Sequence, residues 1–272
     1  MSGFHHGELE AQRLAGVVGN GAGIRPFMPD QHRLFFEALP FIMAATVDAD
    51  GAARAQVLHG SPGFVYTPDD VTLTIATPVL FTSGRPIGLL GLDFSNRRRN
   101  RANGVVRSSE PGKLVIDLHE SFGNCPRHIT LRDVHPAAAA PATLATFEGL
   151  DAAAQALIAN ADTFFIATTG GKFGVDISHR GGPRGFVRID GASLQVPDYA
   201  GNRFFNTLGN LVLDARAALL FIDFASGDVL ELEGSVAIDW QPDGAPQARS
   251  WRFACARGTL SRAALPLRWT DR

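Results

Sequence analysis

Cysteine is scarce in this chain: Cys125 and Cys255 are the only two in 272 residues, too few for the disulfide frameworks that hold small secreted domains together. A reducing compartment follows as the expectation, and the chain reads as cytoplasmic. Long apolar runs are missing as well. Nothing approaches the roughly 18 apolar residues that span a bilayer, and the opening residues 1–16, which include Glu8 and Glu10, hold no apolar core of signal-peptide length. No membrane partner is expected. Neither sign of charge dominates, since 25 Lys+Arg against 27 Asp+Glu leave a net −2, so no global field draws in nucleic acid or anionic lipid. Any basic function has to be local. There is no Gly-x-Ser-x-Gly, no paired-carboxylate constellation and no Cys/His dyad, so no catalytic residue is assigned. Cys125, His128 and His135 lack a fourth ligand at zinc spacing, and no metal is expected. Gly19, Gly21 and Gly23 follow a helix-like stretch where a dinucleotide loop needs a strand. Cys125 reads as a packing residue, and His5 and His6, so near the start of the chain, as residues that carry little.

What the chain does have is enough apolar material, 45% hydrophobic residues against 19% charged, to bury a full core and exclude extended disorder. Its length fits one large domain or two ordinary ones, and internal repetition decides between them. The run Phe41-Ile-Met-Ala-Ala-Thr46 recurs as Phe164-Phe-Ile-Ala-Thr-Thr169. Gly60-Ser-Pro-Gly-Phe-Val65 recurs as Gly182-Pro-Arg-Gly-Phe-Val187, and Leu89-Leu-Gly-Leu-Asp-Phe94 as Leu219-Leu-Phe-Ile-Asp-Phe224, in the same order and with small drifts in offset. Three collinear blocks make a duplication. Within each copy, short apolar strands alternate with Gly, Pro, Asp and Asn clusters, the punctuation of an antiparallel sheet or barrel. Helical spacing marks residues 5–17, 29–39 and about 146–160. The Pro/Ala segment from His135 to Pro141 is the natural linker. This gives a helical segment at 1–34, a first repeat at 35–134, a linker at 135–145 and a second repeat with a C-terminal extension at 146–272.

The series of apolar strand, glycine-marked turn, strand near Gly-Phe, loop, helix and strand ending at Gly104 or Gly234 resembles the pyridoxamine-phosphate-oxidase-like family of FMN-binding split barrels. It occurs twice, over roughly 35–130 and 145–240. The tandem pattern, with Phe4-His-His-Gly-Glu8, Arg97-Arg-Arg-Asn-Arg-Ala-Asn-Gly104 and Phe122-Gly-Asn-Cys-Pro126, looks like a longer bacterial subgroup. The resemblance implies a mainly β fold with helices, two tandem split barrels, and an FMN-dependent oxidoreductase acting on a small-molecule substrate. It also implies a homodimer and a separate flavin or ferredoxin reductase as electron donor, such a module following the barrels in some members. Pyridoxamine phosphate is not implied, because Glu231-Leu-Glu-Gly234 stands where oxidases of the family carry arginine. The alternative is a non-catalytic binder of flavin, deazaflavin or haem, since a shared fold does not fix chemistry.

In the second copy, Ser178-His-Arg-Gly-Gly-Pro-Arg184 offers a hydroxyl, two guanidinium groups and glycine-exposed backbone. Gly201-Asn-Arg203 adds an amide and another arginine. Arginine suits phosphate through its planar fork of donors, and the helix expected after Phe204 would add backbone N–H groups. By resemblance, Arg180, Asn202 and Arg203 hold the FMN phosphate and ribityl chain, with Ser178 and Gly181 in the same loop and Asn206 and Asn210 close by. The first copy lacks such a loop. Its arginine run, taken as a strand, puts Arg97, Arg99 and Arg101 on one face, and these with Asn103 are expected to line the substrate side of the second copy's flavin.

Overall fold

The computed structural model describes residues 3–18, 23–140, 142–201, 203–240 and 249–272; Gly19, Gly21 and Asn202 lie outside them. The first half contributes β1 (Phe41–Val47), β2 (Ala53–His59), β3 (Val65–Tyr66), β4 (Thr72–Ile75), β5 (Pro86–Asp93), β6 (Arg98–Glu110) and β7 (Lys113–Gly123). After β8 (Arg132–Pro136) and β9 (Thr143–Glu148), the second half contributes β10 (Thr163–Thr169), β11 (Val175–Gly181), β12 (Arg188–Asp190), β13 (Ser193–Pro197), β14 (Arg216–Ile222), β15 (Val229–Asp239) and β16 (Ser250–Arg262), with β17 (Leu267–Asp271) closing the chain. Four α-helices, α1 (His6–Leu14), α2 (Asp30–Glu37), α3 (Ala152–Asn160) and α4 (Asn206–Leu213), and a short 3-10 turn at Gly171–Phe173 complete the described elements.

The two large sheets share one strand order. The first runs β2-β1-β5-β6-β7-β4-β3 and the second β11-β10-β14-β15-β16-β13-β12. Each strand of the first sheet therefore has a counterpart at the same place in the second. β9 adds an edge beside β16, and β8 pairs with β17 in a small third sheet.

A strand buried on both faces reads as a continuous apolar run, and the repeated Phe-rich segments show why. Side chains alternate across a strand, so Ile42 and Ala44 of β1 enter the first half's own core while Phe41, Met43 and Ala45 face the other way. In β10, Phe164 and Ile166 enter the second half's core, and Phe165 and Ala167 join Phe41, Met43 and Ala45 in a third cluster. That shared cluster also takes Leu90 and Leu92 from β5 and Leu220 and Ile222 from β14. The halves are thus joined by a hydrophobic seam as deeply buried as either core.

Gly88 sets the closeness of that seam. A Cβ there would lie 2.4 Å from the Val175 carbonyl oxygen on β11, nearer than any side chain tolerates. Gly88→Ala is expected to destabilise the protein by about 1–3 kcal/mol, the usual cost of overpacking, read as a lowered urea midpoint. An unchanged midpoint would mean that the seam opens freely.

Two expectations are corrected by the fold. The helix expected from about residue 146 begins at Ala152, because Thr143–Glu148 pair with Leu260 and its neighbours on β16. Gly149 then turns the chain at φ +63, and the Asp151 carboxylate caps the helix by accepting from Ala154 N at 2.7 Å. The expected linker is also partly strand, since His135 and Pro136 pair with Arg268 and Leu267. No helix of the described residues is long and apolar enough to cross a membrane.

Candidate functional site

A cavity of about 560 Å³ opens where the two halves meet the C-terminal end of α1. β6 brings Arg99 and Arg101 to it, two residues apart and so on one face of the strand. β11 brings Ser178, His179, Arg180 and Gly181, and the start of α4 brings Asn206 and Thr207. The loop before α4 adds Arg203, and the residues Arg13 to Val17 form a wall. Gly181 is required by its surroundings: a Cβ there would fall 1.9 Å from the His128 carbonyl oxygen, on the loop that carries Cys125 and His128 into the cavity.

Charge is the main property of this cavity. Among the described residues seven arginines line it against one carboxylate, Asp198. Arg101 pairs with Asp176 at 2.8 Å, Arg249 with Asp198 at 3.1 Å and Arg13 with Glu10 at 2.7 Å, while Arg180 lies 4.0 Å from Asp198. Among the described residues no carboxylate pairs with Arg99, Arg127 or Arg203. Burial lowers the Arg99 guanidinium to about 10, with Arg101 and Arg180 adding repulsion; it stays a cation at neutral pH. Arg99 Nη1 donates to His179 Nδ1 at 2.8 Å. Burial, with Arg99 next, holds the His179 imidazole well below its ordinary value. His179 is therefore neutral, carries its proton on Nε2, and points that N–H at no partner among the described residues. The Nε atoms of Arg99, Arg101 and Arg180 are likewise buried without a partner, four donors that native interiors seldom leave unmatched.

Of the residues singled out from sequence, Ser178, Arg180, Gly181, Arg203, Asn206, Arg99 and Arg101 come together at this cavity. Three described ones do not. Arg97 precedes the strand with φ 61, so the expected alternation with Arg99 does not reach it. Its Nε donates to Ile129 O at 3.0 Å, on an exposed face. Asn103 shares the Arg99 and Arg101 face but lies beyond the cavity lining, donating to Glu120 and to Asp176 at 3.2 and 2.8 Å. Asn210, buried one turn along α4, donates to Asp176 Oδ2 at 2.8 Å. Asn202 lies outside the described residues.

Sequence reasoning missed a buried network behind the arginines. Asp176 accepts from Arg101, Asn103 and Asn210, and Ser178 Oγ accepts from Arg101 Nη2 and from Thr207 Oγ1. Glu8, in α1, accepts from Asn206 Nδ2 and from the His5 backbone N–H, the latter at 2.9 Å. Burial raises the Glu8 carboxyl to about 8, with Asp176 and Glu120 pushing the same way. One signal was available: His5 followed three residues later by Glu8 has the form of a capping box, and both of its bonds are present. No group of three His, Cys, Asp or Glu among the described residues could hold a metal ion.

No family model and no curated protein matches the chain. Solved structures do, and three of them each cover less than half of this chain and nearly all of their own. A general stress protein 26-related protein of the pyridoxinephosphate oxidase family from Clostridium acetobutylicum is 15% identical, covering 44% of this chain and 92% of its own at a TM-score of 0.31. A FAD-binding protein from Mesorhizobium loti is 9% identical over 43% and 97%, TM-score 0.32. HutZ, a haem storage protein from Vibrio cholerae, is 10% identical over 42% and 94%, TM-score 0.31. At such values none of these likenesses bears on chemistry, and the site has to be read from its own residues.

Proposed function

We propose that the chain is an FMN-binding oxidoreductase formed by a duplicated split barrel, with one flavin held in the arginine-lined cavity at the seam. The observation that carries this reading is the excess of positive charge: three arginines without a carboxylate partner, beside the N-terminus of α4, suit a ligand with a dianionic group. Arg180, Arg203, Ser178 and the first turn of α4 would hold the phosphate, and Arg99, His179 and Tyr199 would flank the rest of the group. The unpartnered buried donors fit a ligand rich in acceptors. Bound flavin supplies hydride or single-electron transfer itself, which agrees with a cavity that holds no triad. What the protein's own residues do is bind, orient and keep water from the ring. The seam between halves takes the place that a subunit interface would otherwise have, and a separate reductase would deliver electrons to a site open on one side.

Titration with FMN, followed by quenching of its fluorescence, tests the reading. Arg99→Ala and Arg180→Ala are each expected to weaken binding about tenfold or more, because a hydrogen bond to a charged group contributes roughly 1.5–3 kcal/mol and about 1.4 kcal/mol is tenfold. A protein that takes up no FMN would end the flavin reading. A Soret band after incubation with haem, lost in His179→Ala or His128→Ala, would replace it with the haem alternative, since those two imidazoles line the cavity.

A further inference from the structure

We propose that the N-terminal segment belongs to the ligand site by linkage: docking of α1 and occupation of the arginine cavity reinforce one another, and His5 acts as a positioning residue for Arg101. The proposal rests on the cavity being the anion site described above. α1 touches that site at both ends. Its C-terminal residues and those just after it, Arg13 to Val17, wall the cavity, and its N-terminus is tied to Arg101 by two parallel routes.

The first route is polar, and every proton in it can be placed. His5 Nδ1 accepts from the Gly7 N–H at 3.1 Å, so the ring proton sits on Nε2. Asn210 Nδ2 donates to Asp176 Oδ2 at 2.8 Å and to Thr168 Oγ1 at 3.2 Å, which leaves Asn210 Oδ1 to accept from His5 Nε2 at 3.0 Å. Asp176 Oδ1 then accepts from Arg101 Nη1 at 2.8 Å. The second route is aromatic. Phe4 stands edge-on to Phe204 at 5.6 Å, Phe204 meets Phe122 at 5.8 Å, and the Arg101 guanidinium lies 5.5 Å from the Phe122 ring centre. Two glycines let α1 come this close. A Cβ on Gly7 would lie 2.4 Å from Gly209 O, and one on Gly209 would lie 2.6 Å from Glu8 Cα.

Undocking α1 removes the His5 donor from Asn210 Oδ1, which loosens one of the three donors that orient Asp176 beside Arg101, and takes away one wall of the cavity. A ligand that needs both Arg101 and that wall binds the docked state more tightly, and only such a difference in affinity moves an equilibrium. The coupling is reciprocal: whatever α1 docking adds to ligand affinity, the ligand adds to α1 docking.

The test uses the full chain, with FMN and inorganic pyrophosphate as probes. FMN is expected to slow amide hydrogen exchange in α1 of the wild type, and His5→Ala to weaken both probes about tenfold. His5→Gln, whose side-chain amide reaches as far as imidazole Nε2, is expected to restore most of the affinity. Binding of FMN with α1 exchange unchanged, or with Ala and Gln equally weakened or equally unaffected, overturns the linkage and leaves the flavin reading standing. Failure of the wild type to bind either probe overturns both.

Discussion

Asp176→Ala is expected to be the most damaging single substitution in the chain, lowering stability by about 3–5 kcal/mol, the cost of breaking a buried ion pair from one side. The Arg101 and Asp176 side chains are 5% and 11% exposed, so the guanidinium left behind would keep its charge with little water to solvate it. Asn103 and Asn210 would each lose an acceptor in the same step. At roughly 2–4 °C per kcal/mol, the melting temperature should fall by about 10 °C. The double variant Asp176→Leu with Arg101→Met removes both charges and should recover more than half of the loss, because replacing a whole buried pair by apolar groups is often neutral. Asn103 keeps Glu120 and Asn210 keeps Thr168 as acceptors, but both lose the Asp176 carboxylate, so recovery should be incomplete. Melting curves of the wild type, both singles and the double close the cycle, and a double variant no better than Asp176→Ala would mean that the damage lies in lost packing.

The strands of this fold could be read because their signal is local. Phe41 to Ala45 and Phe164 to Ala167 are apolar at every position, and burial on both faces is what that pattern requires. Which face meets which partner was not readable, since Met43 and Phe165 share a cluster through contacts between halves that no short window contains. The end of the chain was equally opaque: β17, Leu-Arg-Trp-Thr-Asp, has only two apolar residues and carries no strand signal until it is found beside β8. Arg180 and Arg203 were expected at the site from the family resemblance, and Arg99 and Arg101 from strand alternation together with it, because an arginine run by itself is more often a solvated strand edge. The carboxylates behind them were not. Asp176 sits in Val-Asp-Ile-Ser, where alternation cannot distinguish a buried acid from a solvated one, and Glu8 meets Asn206 across 198 residues of sequence. The reading of Arg97 failed for a different reason, in that one residue at φ 61 ends the strand and with it the alternation.

Glu8→Gln is expected to change how stability depends on pH. Burial, then Asp176, raises the Glu8 carboxyl from 4.5 to about 8 in the folded protein, so the folded state holds a proton that the unfolded state gives up. A raised pKa of this kind contributes stability that is fully present below the unfolded value and is lost as pH rises through the folded one. The window here runs from about pH 4.5 to about pH 8. Glutamine is neutral throughout and keeps an oxygen for the His5 N–H, while Asn206 can turn its amide to meet the new NH₂ group. Wild type and Glu8→Gln should therefore melt at similar temperatures near pH 5 and diverge above it. By pH 9 the variant should be the more stable by an amount on the order of a few kcal/mol, since a tenfold change in proton affinity is worth about 1.4 kcal/mol. Glu120, raised by burial, and Glu231, raised to about 7 by burial, push in the same direction and remain in the variant, so its curve should still decline, less steeply. Glu8→Ala separates charge from hydrogen bonding: it leaves Asn206 Nδ2 and the His5 N–H without an acceptor and should be less stable than glutamine at every pH. Parallel melting curves for wild type and Glu8→Gln between pH 5 and 9 would show that Glu8 is ionised in the folded protein.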